Sequence, residues 1–154
     1  MKKIQLFILF FILNFGGLAI GSWLMGDAIS DDWYVSLNKA PWTPPGPIFG
    51  IAWTAIMLCF SIYLSYLFYI RKSRHLIFVY SLALILNVSW NFVFFNQQLT
   101  SLGLLNLIAL TLIIAYLFIS FGDEQLSKLR YLLLPYIIWL CTAISLNGFI
   151  IINN

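Results

Sequence analysis

The sequence predicts an all-α integral membrane protein, a bundle of five transmembrane helices, and three observations carry that prediction. Of the 154 residues, 62% are hydrophobic and only 8% charged, where an ordinary soluble domain carries about a quarter. Apolar stretches free of charge, each long enough for the roughly 20 helical residues that cross a bilayer, occur five times. The Lys and Arg residues sit almost entirely in the short caps between those stretches. With a mean hydropathy of +0.96, the chain lacks the polar surface to cover a water-exposed globule. Lipid is therefore its solvent, and in lipid only helices or closed barrels satisfy every backbone amide. A barrel would show segments of about ten residues alternating in polarity. Here Ile, Leu and Phe run on without alternation.

The first span, Ile4–Met25, follows Met1-Lys2-Lys3 and so mimics a signal peptide. Its apolar run outlasts a signal h-region, which is about 7–15 residues. The second, Ile48–Ile70, begins behind Pro47, whose fixed φ suits the first turn of a helix. The third is Leu76–Phe95. The fourth, Ser101–Phe121, contains Gly103 and Asn106, which weaken it only slightly. The fifth, Tyr131–Ile152, carries Pro135 in its first turn or two, where few backbone hydrogen bonds are lost. One membrane domain over residues 1–154 results, with a single long connection at 26–47. Within the first span Gly17 and Gly21 form a GxxxG pair, backed by Gly16 and Ser22. That pair suits either an intrachain helix contact or a dimer seam.

Charge sets the orientation. With five spans, the N-terminus and the second and fourth loops share one side, and they carry Lys2, Lys3, Arg71, Lys72, Arg74, Lys128 and Arg130. The other side has only Lys39. The positive-inside rule then puts the N-terminus in the cytoplasm and the first loop and C-terminus outside. The same distribution accounts for the net charge of +3 as membrane topology, so no nucleic-acid partner is implied.

The first loop is the most unusual segment. Pro41, Pro44, Pro45 and Pro47 force an extended path, and Trp33, Tyr34 and Trp42 supply bulky amphipathic rings. An interfacial aromatic belt accounts for them; a stiff aromatic loop over a bundle also makes a lid for an apolar ligand. Three helical faces stand beneath it. Phe49, Trp53, Ile56 and Phe60 align in the second span, Asn87, Trp90, Asn91 and Phe94 in the third, and Tyr136, Trp139, Ala143 and Leu146 in the fifth, with Thr142 beside them. Asparagines at that depth turn inward, either as hydrogen-bonding glue between helices or as polar anchors of a mostly apolar pocket.

Ordinary catalytic machinery is missing from this pattern. No acidic or basic residue lies centrally in a span, which leaves a proton relay without parts. His75 sits in the basic 71–75 loop, and Cys59 and Cys141 lie singly inside apolar runs. No metal-ligand spacing, P-loop or Ser/His/Asp set appears, so acid–base and nucleophilic catalysis are unsupported.

These residues resemble the translocator protein family, also called tryptophan-rich sensory proteins or peripheral-type benzodiazepine receptors. The resemblance rests on Trp33-Tyr34, on Leu37-Asn38-Lys39-Ala40-Pro41-Trp42, and on Thr43-Pro44-Pro45-Gly46-Pro47 running into Ile48-Phe49-Gly50-Ile51-Ala52-Trp53. It continues in Asn87-x-x-Trp90-Asn91-x-x-Phe94-Phe95, in Leu134-Pro135-Tyr136-x-x-Trp139 and in Leu146-Asn147. It implies a five-helix bundle, a homodimer in many members, with a ligand cavity beneath the first loop. Implied ligands are porphyrins such as protoporphyrin IX, and isoquinoline or benzodiazepine compounds. By position the pocket would involve Trp33, Tyr34, Pro44, Ile48, Trp53, Asn87, Trp90, Asn91, Trp139, Thr142, Ala143 and Leu146. The mitochondrial members' sterol motif, a Tyr and then a basic residue after Leu-Asn, has no counterpart in Gly148-Phe149-Ile150-Ile151-Ile152-Asn153-Asn154. The short basic N-terminus favours a bacterial plasma membrane.

The resulting expectation is a membrane receptor or scavenger of porphyrins, linked to tetrapyrrole regulation or stress, that requires no cofactor and has membrane lipid around it. The alternatives are a light- and oxygen-dependent porphyrin-degrading catalyst, for which Trp53 and Trp139 would be the oxidisable groups, and a transporter of porphyrins or other lipophiles.

Overall fold

The computed structural model of the chain describes residues 2–121 and 125–154. Five helices among them are long and apolar enough to cross a membrane. They comprise α1 (Lys3–Met25), α3 (Gly46–Ile70), α4 (Arg74–Asn91, extended by a π-turn at Phe92–Asn96), α5 (Thr100–Ser120) and α6 (Leu134–Asn153, preceded by a 3-10 turn at Leu129–Leu133). The short α2 (Asp32–Ser36) lies in the first connection. Each predicted span is found within a few residues of its expected bounds. The fifth differs in kind at its start. Pro135 has no N–H to bond the Tyr131 carbonyl, and the chain before it winds as 3-10 rather than α.

Two other expectations need correction. The extended path expected over Pro41–Pro47 is broken by a turn at Pro41–Trp42 and ends at Pro45, before α3 begins; ahead of it lie a 3-10 turn at Ala28–Ser30 and α2. His75 is not a loop residue. It stands in the first turn of α4, where Ser73 Oγ accepts from its backbone N–H at 3.2 Å, and its Nε2 lies 2.9 Å from the Tyr116 hydroxyl.

The helices pack as a closed ring. α1 lies against α3 and α4, α5 against α4 and α6, and α6 with its 3-10 turn against α3. The order around the bundle is therefore α1, α3, α6, α5, α4. Although α3 and α4 are consecutive in sequence, α1 lies between them. They meet across the core through side chains such as Phe60 and Tyr80, whose rings are 6.2 Å apart.

Small residues admit α4 to α1. A Cβ on Gly17 would stand 2.8 Å from Leu84 Cδ1, and one on Gly21 would stand 2.6 Å from Asn91 Nδ2. The GxxxG pair is thus an intrachain seam. Deeper in the bundle, Asn14 joins three helices: its Nδ2 donates to Ser61 Oγ (2.9 Å), and its Oδ1 accepts from the Tyr80 hydroxyl (3.0 Å). Ser61 Oγ–H in turn donates a hydrogen bond to the Met57 carbonyl at 2.7 Å. In hydrocarbon such groups have no water to turn to, and mutual satisfaction is what makes their burial tolerable.

Candidate functional site

The first connection forms a strap across one end of the ring. α2 turns two rings downward, with Trp33 against Phe94 (centroids 5.9 Å apart) and Tyr34 against Phe95 (5.2 Å), both edge-on. Lys39 then lays its ammonium 4.4 Å above the Tyr34 ring. At the next turn, Thr43 donates to the Ala40 carbonyl from both its amide (2.9 Å) and its hydroxyl (2.7 Å). The prolines carry the strap on to α3.

Two clasps hold the strap to the end of α6. The Asn38 amide donates to Asn154 Oδ1 (2.8 Å) while Asn154 Nδ2 donates back to the Asn38 carbonyl (3.2 Å). The Trp42 indole N–H donates to Ser145 Oγ at 3.2 Å, and its ring stands edge-on to Phe149 at 5.4 Å. Both clasps are solvent-accessible, so each contributes little to stability, on the order of 1 kcal/mol or less.

Under the strap is a cavity of about 50 Å³. The strap contributes Tyr34, Lys39 and Thr43 to its wall, α3 contributes Phe49, and α4 with its π-turn contributes Trp90, Phe94 and Phe95. From α6 come Ala143, Leu146, Asn147 and Ile150, one stripe at helical spacing. Trp90 and Phe94 are stacked, 5.1 Å apart and 15° from parallel. The Trp90 Nε1–H is buried and has no acceptor among the described residues. Asn147, in the amide orientation that satisfies both its ends, donates to the Thr100 carbonyl (3.0 Å) and accepts from the Leu104 amide (3.2 Å). Burial pushes the Tyr34 phenol above its ordinary value of 10.0, so it is a neutral hydroxyl across the physiological range.

Of the residues singled out in the sequence, Tyr34, Trp90, Ala143 and Leu146 come together in this wall. Trp33 lies one ring behind it, on Phe94. Trp139 stands behind Phe49, edge-on at 5.2 Å, and Trp53 is deeper, edge-on to Tyr136 at 5.9 Å. Asn87 Nδ2 donates to the Tyr136 hydroxyl at 2.7 Å, which makes it a bridge between α4 and α6. Asn91 faces α1 at Gly21. The Thr142 hydroxyl returns to its own helix, donating to the Ile138 carbonyl at 3.0 Å. Pro44 is half-buried in the strap, and Ile48 is exposed on the first turn of α3.

Sequence reasoning placed Phe49 and Phe94 on the faces beneath the loop without assigning them to the pocket, and left out Lys39, Thr43, Phe95, Asn147 and Ile150. One signal was available: Asn147 and Ile150 continue the stripe of Ala143 and Leu146. Phe95 carried no such signal, because the π-turn rotates it off the α-helical register.

The sequence profile of the TspO/MBR family matches residues 7–152. The chain belongs to that family. It is 30% identical over 152 residues to the tryptophan-rich protein TspO of Bacillus cereus, a match spanning 96% of this chain and 94% of the relative. It is 30% identical over 117 residues to the tryptophan-rich sensory protein of Cereibacter sphaeroides (76% of this chain, 73% of the relative). A TspO of the archaeon Archaeoglobus fulgidus is 31% identical over 124 residues (79% and 80%). Membership in the family and the five apolar helices make this a multi-pass membrane protein. Chemically, the strap end offers a family member stacked and edge-on rings, one free indole donor, one neutral phenol and one ammonium. That set suits a flat apolar molecule with an anionic or hydrogen-bond-accepting edge.

Proposed function

We propose that this chain is a membrane receptor or scavenger that takes porphyrins, and isoquinoline- or benzodiazepine-type compounds, beneath the strap, in tetrapyrrole regulation or stress. The observation that carries the reading is the ring-lined cavity with a buried, acceptor-free Trp90 N–H. Such a donor is costly to leave unmade, and a ligand acceptor would satisfy it. The porphyrin's propionates would find the Lys39 ammonium at the strap.

Size adds a requirement. A space of about 50 Å³ is far below the roughly 300–1,000 Å³ of drug-sized ligand sites. A tetrapyrrole therefore enters only if the strap lifts and the Phe94, Phe95 and Phe49 rings turn aside. The two clasps are weak enough to permit this. The receptor reading has the strap on the outer face of a bacterial plasma membrane, as the Lys and Arg count favours. A cysteine at Ser30 should then react with an impermeant label on intact cells and one at Ser73 should not; the opposite pattern would reverse the orientation.

The test of function is absorption of protoporphyrin IX with the purified protein, first in darkness and then under illumination. A saturable dark shift without bleaching is the receptor's result, and no saturable shift would remove it. The degradation alternative predicts conversion to a defined product. Trp53→Phe and Trp139→Phe should then keep dark binding and lose most of that conversion. Full conversion by the double variant would exclude both indoles. Flux into liposomes would instead favour a transporter.

A further inference from the structure

A second and larger opening, about 460 Å³, lies at the opposite end of the bundle. Its origin is the ring order. The three-residue link 71–73 joins α3 to α4, yet α1 lies between those helices, so they diverge as soon as the link is made. The wedge between them is floored by Leu6 of α1, Phe68 of α3 and Ile77 of α4, and rimmed by Lys72, Ser73 and Arg74.

The rim and floor differ sharply in chemistry. Lys72 and Arg74 are exposed. Below them the surface is hydrocarbon: Ile77 is 56% and its neighbour Phe78 65% exposed, as suits side chains that face acyl chains. The polar–apolar boundary is marked on the same end by Lys3, whose ammonium lies 4.6 Å above the Tyr66 ring and 5.0 Å above Tyr69. Lys and Tyr in that pairing are interfacial anchors. The wedge thus straddles the level where headgroups give way to acyl chains, with two exposed cations above and an apolar floor beneath.

We infer that this wedge is a seat for one anionic phospholipid, its phosphate between Lys72 and Arg74 and its first acyl carbons on Leu6, Phe68 and Ile77. Charge selects the lipid class. A zwitterionic lipid brings its own ammonium to a rim that is already cationic, whereas a phosphatidylglycerol-type headgroup brings net negative charge. The apolar floor selects a lipid over a free anion, since inorganic phosphate gains nothing from Leu6, Phe68 and Ile77.

The experiment is native mass spectrometry of the full chain in neutral detergent, incubated with an equimolar mixture of phosphatidylglycerol and phosphatidylcholine. The wild type should retain one phosphatidylglycerol in preference. Lys72→Gln with Arg74→Gln should lose that preference, by about fivefold for each cation removed. Ile77→Trp, which fills the floor and keeps both charges, should lose the bound lipid as well. Lys128→Gln, an exposed cation outside the wedge, should leave the phosphatidylglycerol preference unchanged. All these positions are at the surface or rim, and helical content and melting are checked for each. The inference is overturned by a wild type without preference, by either wedge variant that keeps it, or by inorganic phosphate displacing the lipid at comparable concentration.

Discussion

The two ends of this bundle are built on different terms. At the basic end and through the middle, Tyr63, Leu64, Leu67, Ile114, Leu133 and Leu140 are wholly buried, and the polar core is bonded within itself, although Arg130 Nε at the rim is buried without a hydrogen-bond partner among the described residues. Asn14, Ser61 and Tyr80 satisfy one another, and the Tyr63 hydroxyl donates to the Leu117 carbonyl at 3.0 Å. At the strap end the buried cluster shrinks to Phe94, Phe95 and Ile150, α4 loosens into a π-turn, and an indole N–H is left without an acceptor. Interiors packed to crystal density do not yield to a ligand. The strap half, with slack, adaptable rings and an unspent donor, is the half whose interior can take one, whereas the interior of the other half holds the frame still and its opening lies at the bundle surface.

That contrast is open to attack from both sides. The largest effect should come from the rigid half. Gly17→Leu forces a side chain against Leu84 and Val88, parts α1 from α4, and should lower stability by about 1–3 kcal/mol, the scale of overpacking. A thermal melt in detergent reads it. An unchanged melting temperature would mean that the α1–α4 seam is not tight.

A smaller loss is expected from Asn14→Leu, which strands Ser61 and Tyr80. Stability should fall by about 1–2 kcal/mol, while porphyrin affinity stays as it was because the network lies outside the cavity wall. Affinity falling in step with stability would show that the two halves are not separable. Smallest in its effect on the fold is Trp90→Phe. It keeps an aromatic face on Phe94 but removes the unsatisfied N–H together with one ring of the indole, two opposing effects, so the melt should change little. Porphyrin affinity should drop by about 1 kcal/mol, roughly fivefold, the value of one hydrogen bond. Affinity equal to wild type would show that this donor does not meet the ligand.

How far the sequence reached follows the same division. The spans were legible because continuous apolar runs and basic caps are properties of composition, and lipid leaves the backbone no alternative to helix. The α6 stripe and the aromatic faces were legible because helical spacing puts residues three and four apart side by side. Spacing did not say which neighbour each edge of a face would meet. Asn87, Trp90 and Asn91 share one side of α4, yet its position in the ring turns Asn87 to Tyr136, Trp90 to the cavity and Asn91 to Gly21. Asn14 escaped notice because a single asparagine in an apolar run has no periodic companion. Its partners are 47 and 66 residues away, and only the ring order brings them together. Phe95 was hidden by the π-turn, and Lys39 by the fold of the strap.

The central claim is that the space beneath the strap is where a tetrapyrrole binds, and Ala143→Phe tests it most directly. Ala143 lies in the wall, so a phenyl ring there occupies the space without removing any polar group or touching the Asn14 network. Protoporphyrin IX is titrated into the wild type and the variant in darkness, with helical content and melting measured on the same samples. The wild type should show a saturable absorption shift, and a variant that remains folded should lose it. An Ala143→Phe protein that is folded and titrates along the wild-type curve would contradict it.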